Sequence, residues 1–219
     1  MLHNIKAGLS AAAIIAGLGV GIAATTPAQA ADQSPWQIRA RALLVLPEED
    51  MTGYNNAALA GSDVRISDSI VPELDITYFF TKNIAAELIL GTTPHNVDVK
   101  RTALGNLDLG HIWLLPPTLT LQYHFAPDSK FRPYVGAGVN YTIFYGQGGE
   151  KSPITDVSYD DGFGWALQAG VDIPLDDHWM LNVDVKQIFL STTATVNGAI
   201  KADVDINPLL VGVGVGYRF

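Results

Sequence analysis

The sequence predicts an all-β fold, an eight-stranded antiparallel transmembrane β-barrel with four long extracellular loops and short periplasmic turns. First, apolar and polar residues alternate in eight segments of roughly ten residues, which is the pattern of strands with one apolar face. Second, the connections between these segments alternate between short and long. Third, an even number of strands of this length suits a closed barrel that crosses a bilayer.

The first thirty residues have the features of a secretory signal peptide. Lys6 lies close to the amino terminus, residues 9–24 are almost entirely apolar, and the segment ends in Ala28-Gln29-Ala30. A basic start, an apolar centre and small residues before the cleavage point are the parts of such a peptide. We expect cleavage after Ala30, which leaves residues 31–219 as the barrel domain. A retained membrane anchor is the alternative.

The first four predicted strands cover residues 36–46, 70–80, 84–91 and 115–125. Apolar and aromatic residues occupy every second position in each of them. The opposite face is mostly polar, and it carries Gln37, Arg39, Arg41, Glu73, Asp75, Thr77, Glu87, Gln122 and His124. Long connections lie at residues 47–69 and 92–110, and short turns lie at residues 81–83 and 126–130.

The last four predicted strands cover residues 135–145, 163–173, 179–186 and 209–219. Their apolar positions alternate with small, amide or charged residues, among them Gly136, Gly138, Asn140, Gln168, Asp172, Asp184, Lys186 and Gly214. Long connections lie at residues 146–161 and 191–205, and a short turn lies at residues 174–178. Aromatic residues cluster near the strand ends, as they do in the interfacial girdles of membrane proteins.

The composition excludes several classes of function. Apolar residues make up 48% of the chain and charged residues 16%, which is the opposite of a disordered composition. With 13 basic and 22 acidic residues the formal net charge is −9, so we expect no nucleic-acid surface. The chain has no cysteine, which rules out disulfides and thiolate metal sites. We expect neither a cofactor nor a metal.

Periodicity alone does not tell which face of the barrel points inward. In a soluble barrel of the lipocalin type the apolar face would line the interior, and this alternative stays open. Two features favour a membrane barrel. The polar face carries six mid-strand charges of both signs, namely Arg39, Arg41, Asp75, Glu87, Asp184 and Lys186. The chain also ends in Tyr217-Arg218-Phe219, whose aromatic residues Tyr217 and Phe219 resemble the signal read by the outer-membrane barrel assembly machinery.

Four segments resemble the OmpW family of small outer-membrane barrels, including its AlkL-type members. They are FFTKNIAAELILGTTPH at residues 79–95, LPPTLTLQYHF at 115–125, KFRPYVGAGVNYTIFY at 130–145 and GYRF at 216–219. The third of these segments is the most specific, and the last is common to many barrels. The resemblance implies an eight-stranded barrel that passes small hydrophobic molecules across the Gram-negative outer membrane. It also implies a narrow apolar lumen, and lateral exit through the barrel wall has been proposed for the family.

The inward positions divide into two zones if both termini lie in the periplasm. The outer zone is an apolar funnel predicted from Leu43, Val45, Ile89 and Ile188, and Phe163 joins it if the neighbouring glycines form a bulge. The inner zone is a polar plug, predicted from Arg39, Arg41, Glu87, Gln122, His124, Asp184 and Arg218. The alternative is a lumen simply filled by its own side chains.

Proline residues mark a predicted lateral opening in the wall. We expect Pro72 in the second strand, Pro116 and Pro117 in the outward half of the fourth, and Pro208 in the eighth. Proline removes a donor from the ladder of hydrogen bonds and therefore weakens pairing with the adjacent strand. Alternatively, these prolines only shorten strands at the rim.

The sequence therefore predicts a passive channel for small hydrophobic solutes and predicts no catalytic residues. Its expected partners are outer-membrane lipids and lipopolysaccharide, the barrel assembly machinery and the solutes themselves. The long loops carry Glu48, Glu49, Asp50, Asp63 and Asp68, which are weak candidates for cation-mediated contact with lipopolysaccharide phosphates. A structural or stress-related barrel with a filled lumen is the first alternative, and a lipid-modifying barrel enzyme is the second.

Overall fold

The computed structural model of the protein describes residues 34–219, so the predicted signal peptide, residues 1–30, lies outside the described part. Within this part, the one helical segment is the 3-10 turn Ala57–Leu59, and no helix has the length and apolar character needed to cross a membrane. Fifteen strands make up the fold. They are β1 Trp36–Leu46, β2 Asp50–Tyr54, β3 Asp63–Ile66, β4 Ser69–Phe79, β5 Ile84–Gly91, β6 Thr93–Thr102, β7 Gly105–Leu115, β8 Thr118–His124, β9 Arg132–Gly148, β10 Val157–Tyr159, β11 Gly162–Pro174, β12 Trp179–Phe189, β13 Ser191–Val196, β14 Ile200–Asp205 and β15 Leu209–Arg218.

Eight of these strands close into an antiparallel barrel in the order β1, β4, β5, β8, β9, β11, β12 and β15, with β15 returning to β1. The prediction of an eight-stranded antiparallel barrel is confirmed. The ladder between β1 and β15 runs without interruption from Gln37–Arg218 to Leu46–Leu209. Closure leaves no open edge in the barrel, so each of its eight strands pairs on both sides.

The long connections continue the barrel wall instead of forming irregular loops. β5 runs on into β6, and β7 runs into β8, so that β6 and β7 form a hairpin beyond the barrel, with β3 added at its edge. A second sheet, in the order β10, β13, β14 and β2, covers the same end. These strands form the walls of the extracellular end of the molecule.

The side chains are arranged inside out relative to a soluble barrel. Leu121 is 60% exposed on the outer surface and Val213 is 59% exposed, whereas Arg39 and Glu87 are fully buried in the interior. An apolar outer surface of this kind requires lipid around it, so the lipocalin-type alternative is wrong. Aromatic rings in edge-to-face contact form a girdle at the periplasmic end, in the pairs Trp36–Tyr78, Tyr78–Phe80, Tyr123–Phe125, Trp179–Tyr217 and Tyr217–Phe219.

Glycine residues on the inner face make room for the long charged side chains. A Cβ atom at Gly212 would lie 3.1 Å from Cδ of Arg41, and one at Gly216 would lie 3.2 Å from Cγ of Arg39. At Gly170 a Cβ atom would overlap the Tyr134 hydroxyl. The alternation of glycine with valine in β15 therefore serves two ends, since valine faces lipid and glycine accommodates the arginines.

Candidate functional site

The floor of the site is a buried ionic network that starts at Arg39 on β1. Its Nε and Nη2 donate to the two carboxylate oxygens of Asp172 at 3.2 and 2.6 Å. Its Nη1 donates to Thr77 Oγ1 at 2.8 Å and pairs with Glu87. This bidentate geometry is one that the planar guanidinium supports and a lysine ammonium does not.

Arg41, two residues further along β1, joins several carboxylates at once. Its guanidinium nitrogens lie 3.0 Å from Glu73, 3.2 Å from Asp184 and 3.4 Å from Glu87, and it also pairs with Asp75. These acids come from three strands, β4, β5 and β12. Arg41 therefore ties opposite sides of the barrel wall together through its interior.

Lys186 and several neutral groups complete the network. The Lys186 Nζ atom lies 2.8 Å from Glu73 and 2.9 Å from Asp184. Gln168 donates to Glu87 and Asp184 at 2.9 Å each, and Tyr134 donates to Asp184 at 2.7 Å. We call this set the plug: Arg39, Arg41, Glu73, Asp75, Thr77, Glu87, Tyr134, Gln168, Asp172, Asn182, Asp184 and Lys186.

The plug closes the lumen at the level of the membrane strands. None of its side chains is more than a few per cent exposed, and its three cations face five carboxylates. A straight path through the barrel would have to separate buried ion pairs, which costs several kcal/mol for each ion left unpaired. Among residues 34–219, Asp75 Oδ1 is the one enclosed side-chain acceptor that lacks a hydrogen-bond partner.

Three residues of the predicted plug lie beside this network. The Gln122 side chain donates to Gln168 at 3.1 Å, and His124 stacks on Tyr134 with ring centroids 5.0 Å apart. Arg218 lies nearer the periplasmic end, where its guanidinium covers the Phe79 ring at 4.0 Å. The prediction that Arg218 belongs to the cross-linked ion pairs is wrong, because its side chain donates to the Ser34 carbonyl oxygen, and none of the ion pairs of the described chain includes it.

Above the plug lies a cavity with an almost entirely apolar lining. It has about 1010 Å³ of space between atoms, part of which adjoins solvent. Its lining includes Val45, Val64, Val97, Ile112, Ile188 and Val204, which come from the barrel and from both extracellular sheets. The polar exceptions include His95 and Tyr159. Burial raises the pKa of Tyr159 above its usual range, so this hydroxyl stays protonated.

The residues of the predicted funnel have different positions in the structure. Val45 and Ile188 line the cavity, and Leu43 is part of the apolar cluster around it. Ile89 is buried but does not contribute to the cavity lining. The prediction for Phe163 is wrong, because its side chain is 81% exposed on the outer surface. No bulge interrupts β11 at this point, because Phe163 pairs in regular register with Tyr141. Successive side chains of a regular strand point to opposite faces, and the Phe163 side chain therefore lies on the outer face.

The four prolines of the predicted opening also have distinct positions. Pro72 lies within β4, as expected, but Pro116 and Pro117 lie between β7 and β8, and Pro208 directly precedes β15. The placement of these last three prolines inside strands is therefore wrong. Proline supplies no N–H group, so the ladder of backbone hydrogen bonds is interrupted at Pro116, Pro117 and Pro208.

Pro116 and Pro117 mark an interruption in the wall between β5–β6 and β7–β8. Pairing stops at Ile89–Thr118 and resumes in the same register at Thr93–Leu114. We call the interval, residues 90–92 opposite 115–117, the seam. Thr92 Oγ1 spans it with two hydrogen bonds, one to the Leu114 carbonyl oxygen at 3.1 Å and one to the Tyr145 hydroxyl.

Some plug residues escaped the predicted site although their signals were present. Glu73, Asp75 and Lys186 share the inward parity of their strands, which the alternation already indicated. Tyr134 was missed because the fifth strand was predicted to begin at residue 135, directly after it. β9 begins at Arg132, and Tyr134 has the same parity as Asn140, so a longer strand would have revealed it.

A closed antiparallel barrel with an apolar outer surface and an ionic interior defines an integral β-barrel protein of the Gram-negative outer membrane. The family model described as OmpW family matches residues 33–219, and the chain belongs to this family. Outer-membrane protein y4mB of Sinorhizobium fredii is 50% identical over 90% of this chain and 86% of its own length. Outer membrane protein W of Vibrio cholerae is 35% identical over 94% of this chain and 98% of its own.

More distant relatives and solved structures agree with this assignment. The dibenzothiophene metabolism operon protein PahQ of Pseudomonas aeruginosa is 29% identical over 86% of this chain and 90% of its own. The crystal structure of OprG from Pseudomonas aeruginosa is similar with a TM-score of 0.78 and 29% identity, covering 85% of this chain and 97% of that one. The solid-state NMR structure of AlkL in lipid bilayers has a TM-score of 0.66 and 25% identity, covering 89% and 95%.

Proposed function

We propose that the protein is a passive channel that takes small hydrophobic molecules from the cell exterior into the outer membrane. The observation that carries this proposal is the apolar cavity lying directly above an ionic plug. A hydrophobic solute gains roughly 25 cal/mol for each Å² of apolar surface that it buries, and the cavity lining supplies such surface. The plug offers this solute no onward path, because its groups are charged and already paired.

The proposed exit is lateral, through the seam. The seam begins one residue beyond Ile89, which pairs with Asp75 of the plug, so it lies just above the floor. Thr93, Leu114 and Pro116 line the cavity beside it. A solute that reaches the floor would leave sideways into lipid, where its apolar surface stays buried. Pro72 and Pro208 are secondary candidates for weakened pairing on other strands.

The similar proteins support this proposal through their names. One relative is named for a dibenzothiophene metabolism operon, and dibenzothiophene is itself a hydrophobic aromatic compound. A structure named AlkL covers most of this chain. A structural barrel with a filled lumen is the second candidate, and the density of ion pairs in the plug favours it. A lipid-modifying enzyme has less support, since no described histidine ring bonds a serine or threonine hydroxyl.

Ile112→Lys tests the cavity as the solute path. Ile112 is 2% exposed and lines the cavity, so the variant places an ammonium group among apolar side chains. We expect slower octane uptake by whole cells and unchanged uptake of glycerol as a polar reference. His111→Lys is the matched control, because the neighbouring side chain is exposed and outside the cavity lining. Unchanged octane uptake with a well-folded Ile112→Lys barrel would contradict the proposal and favour the filled-lumen candidate.

Two variants with opposite expected effects on octane uptake test the seam. Pro116→Val combined with Pro117→Thr restores two N–H donors, one of which can pair across the seam because the N–H of residue 117 faces β9, and octane uptake should slow. Thr92→Val removes both hydrogen bonds that span the seam and should accelerate octane uptake. If both variants transport at the wild-type rate while Ile112→Lys is slow, the cavity is used but the solute leaves by another route.

We also propose that Tyr217 and Phe219 serve recognition by the barrel assembly machinery. Phe219 is 51% exposed, its ring meets Tyr217 edge to face at 5.1 Å, and its N–H donates to the Trp36 carbonyl oxygen at 3.2 Å. Deleting Phe219 should lower the amount of folded barrel in cells more than it lowers the stability of refolded protein.

The acidic residues of the extracellular end would contact lipopolysaccharide through divalent cations. Cleavage after Ala30 would precede assembly.

A further inference from the structure

One polar ring lies among the apolar side chains of the cavity. His95 on β6 is 4% exposed, and its ring is part of the cavity lining. Its Nδ1 lies 2.6 Å from the Ser67 carbonyl oxygen. Because a carbonyl oxygen can only accept, Nδ1 carries the proton in this contact. The second ring nitrogen, Nε2, therefore keeps its lone pair in the neutral ring.

The orientation of this ring is fixed by the backbone around Ser67. The Ser67 N–H donates to the Asn96 carbonyl oxygen at 3.0 Å, and Ser67 Oγ accepts from the Asn96 N–H at 2.9 Å. Together with the His95 contact, these bonds hold the turn between β3 and β4 against β6. In the described part of the chain, Nε2 has no hydrogen-bond partner and is not fully enclosed by protein atoms.

The neighbourhood keeps this nitrogen a neutral acceptor. Burial lowers the pKa of His95 below its usual value, although the Ser67 bond and the carboxylate of Asp68 act in the opposite direction. The other cavity residues near the ring are apolar or hydroxylic, with Ile112 directly opposite on β7. A pure hydrocarbon in the cavity would leave Nε2 cut off from water without a donor, which is unfavourable.

We propose that the cavity selects hydrophobic solutes that carry one hydrogen-bond donor, such as aliphatic alcohols or phenols, over hydrocarbons and ethers of equal size. His95 Nε2 accepts the solute hydroxyl proton in a hydrogen bond while the hydrocarbon part contacts the apolar lining. A site built to bond a hydroxyl group discriminates against the analogue that lacks it. This inference rests on the proposed function, because it specifies which solutes that channel prefers.

Nitrogen NMR of the protein in lipid nanodiscs tests the contact directly. Histidine is labelled with ¹⁵N, and the unprotonated Nε2 resonance of His95 is assigned by its absence in His95→Gln. We expect 1-octanol to move this resonance in the direction of an accepted hydrogen bond, and 1-methoxyoctane to leave it in place. An Nε2 resonance that responds equally to both probes, or to neither, would overturn the inference.

Uptake by whole cells supplies the second measurement. In His95→Leu the ratio of 1-octanol to octane uptake should fall about 2- to 12-fold, which corresponds to one net hydrogen bond. In His95→Gln the amide oxygen replaces the acceptor, so the ratio should stay near that of the wild type. Equal ratios in all three proteins, with both solutes still taken up through the barrel, overturn this inference alone. If uptake of neither solute depends on the barrel, the proposed function fails and this inference fails with it.

Discussion

Arg41 contacts more carboxylates than any other cation of the plug, and we expect Arg41→Met to destabilise the barrel strongly. The guanidinium is within 3.4 Å of Glu73, Asp184 and Glu87, and it also pairs with Asp75. Its side chain is fully buried, so water cannot replace the lost partner. Methionine keeps a similar length and removes the charge, which isolates the electrostatic contribution.

The size of the effect follows from the charges that remain. Removing one partner of a buried ion pair costs about 3–5 kcal/mol, because the other partner is left uncompensated. The plug has three cations for five carboxylates, and the Arg41→Met variant leaves two cations for the same five carboxylates. We therefore expect the free energy of unfolding to fall by about 4–5 kcal/mol. Arg41→Lys keeps the charge but not the planar fork, and we expect a smaller loss of about 1–3 kcal/mol.

Urea unfolding in lipid vesicles, followed by heat-modifiable migration on gels, measures both losses. Arg65→Met is the matched control. The Arg65 side chain is 59% exposed, and its partners Glu49 and Asp63 lie 3.5 and 3.9 Å away, so its removal should cost at most about 1 kcal/mol. Free energies of unfolding within 1 kcal/mol of each other for Arg41→Met and Arg65→Met would show that the buried contacts of Arg41 do not stabilise the barrel.

Three further predictions concern the wall, the inner face and the cavity. Leu121→Arg, on the lipid-facing surface at mid-strand, should cost about 2–4 kcal/mol in urea unfolding, whereas Phe163→Arg nearer the rim should cost about 0–1 kcal/mol; equal costs would argue against the assigned depth. Gly170→Ala should cost about 1–3 kcal/mol in the same measurement, because the new methyl group would overlap the Tyr134 ring and approach the Val183 carbonyl oxygen, and an unchanged free energy of unfolding would argue against this close packing. His95 has a folded-state pKa below 6.5, so the unfolded chain takes up its proton first as the pH falls. Wild-type stability relative to His95→Gln should therefore decrease below pH 6.5, and a difference that does not change with pH would contradict the burial of this ring.

The positions of the barrel strands could be predicted because each strand meets two different environments. Residues 36–46 alternate strictly between lipid-facing and lumen-facing side chains, and β1 has the same bounds. The extracellular strands escaped prediction because their pattern differs from that of the barrel strands. β6 also alternates, but its apolar residues Val97 and Val99 line the cavity and its polar residues lie on the other face, which is the reverse of a lipid-facing strand.

Alternation determines the face on which a residue lies but not the partner that it meets. Arg39 and Asp172 are both inward by parity, yet they belong to β1 and β11, which are not adjacent in the wall. Their contact depends on the stagger of the whole barrel and on the empty space above glycine residues. Phe163 illustrates the same limit, because its placement depended on an assumed bulge that the register of β11 with β9 does not contain.

The change from charged to apolar residues along the inner face connects the plug with the cavity. On β1 the inward side chains change from Arg41 to Leu43, and on β12 they change from Lys186 to Ile188. A lumen that needed only to be filled would not require this change on separate strands. An apolar compartment that ends on a charged floor gives a hydrophobic solute a position from which moving deeper is unfavourable. The ladder is interrupted immediately above that floor, between Ile89 and Thr93, and this interruption supports the lateral exit that we propose.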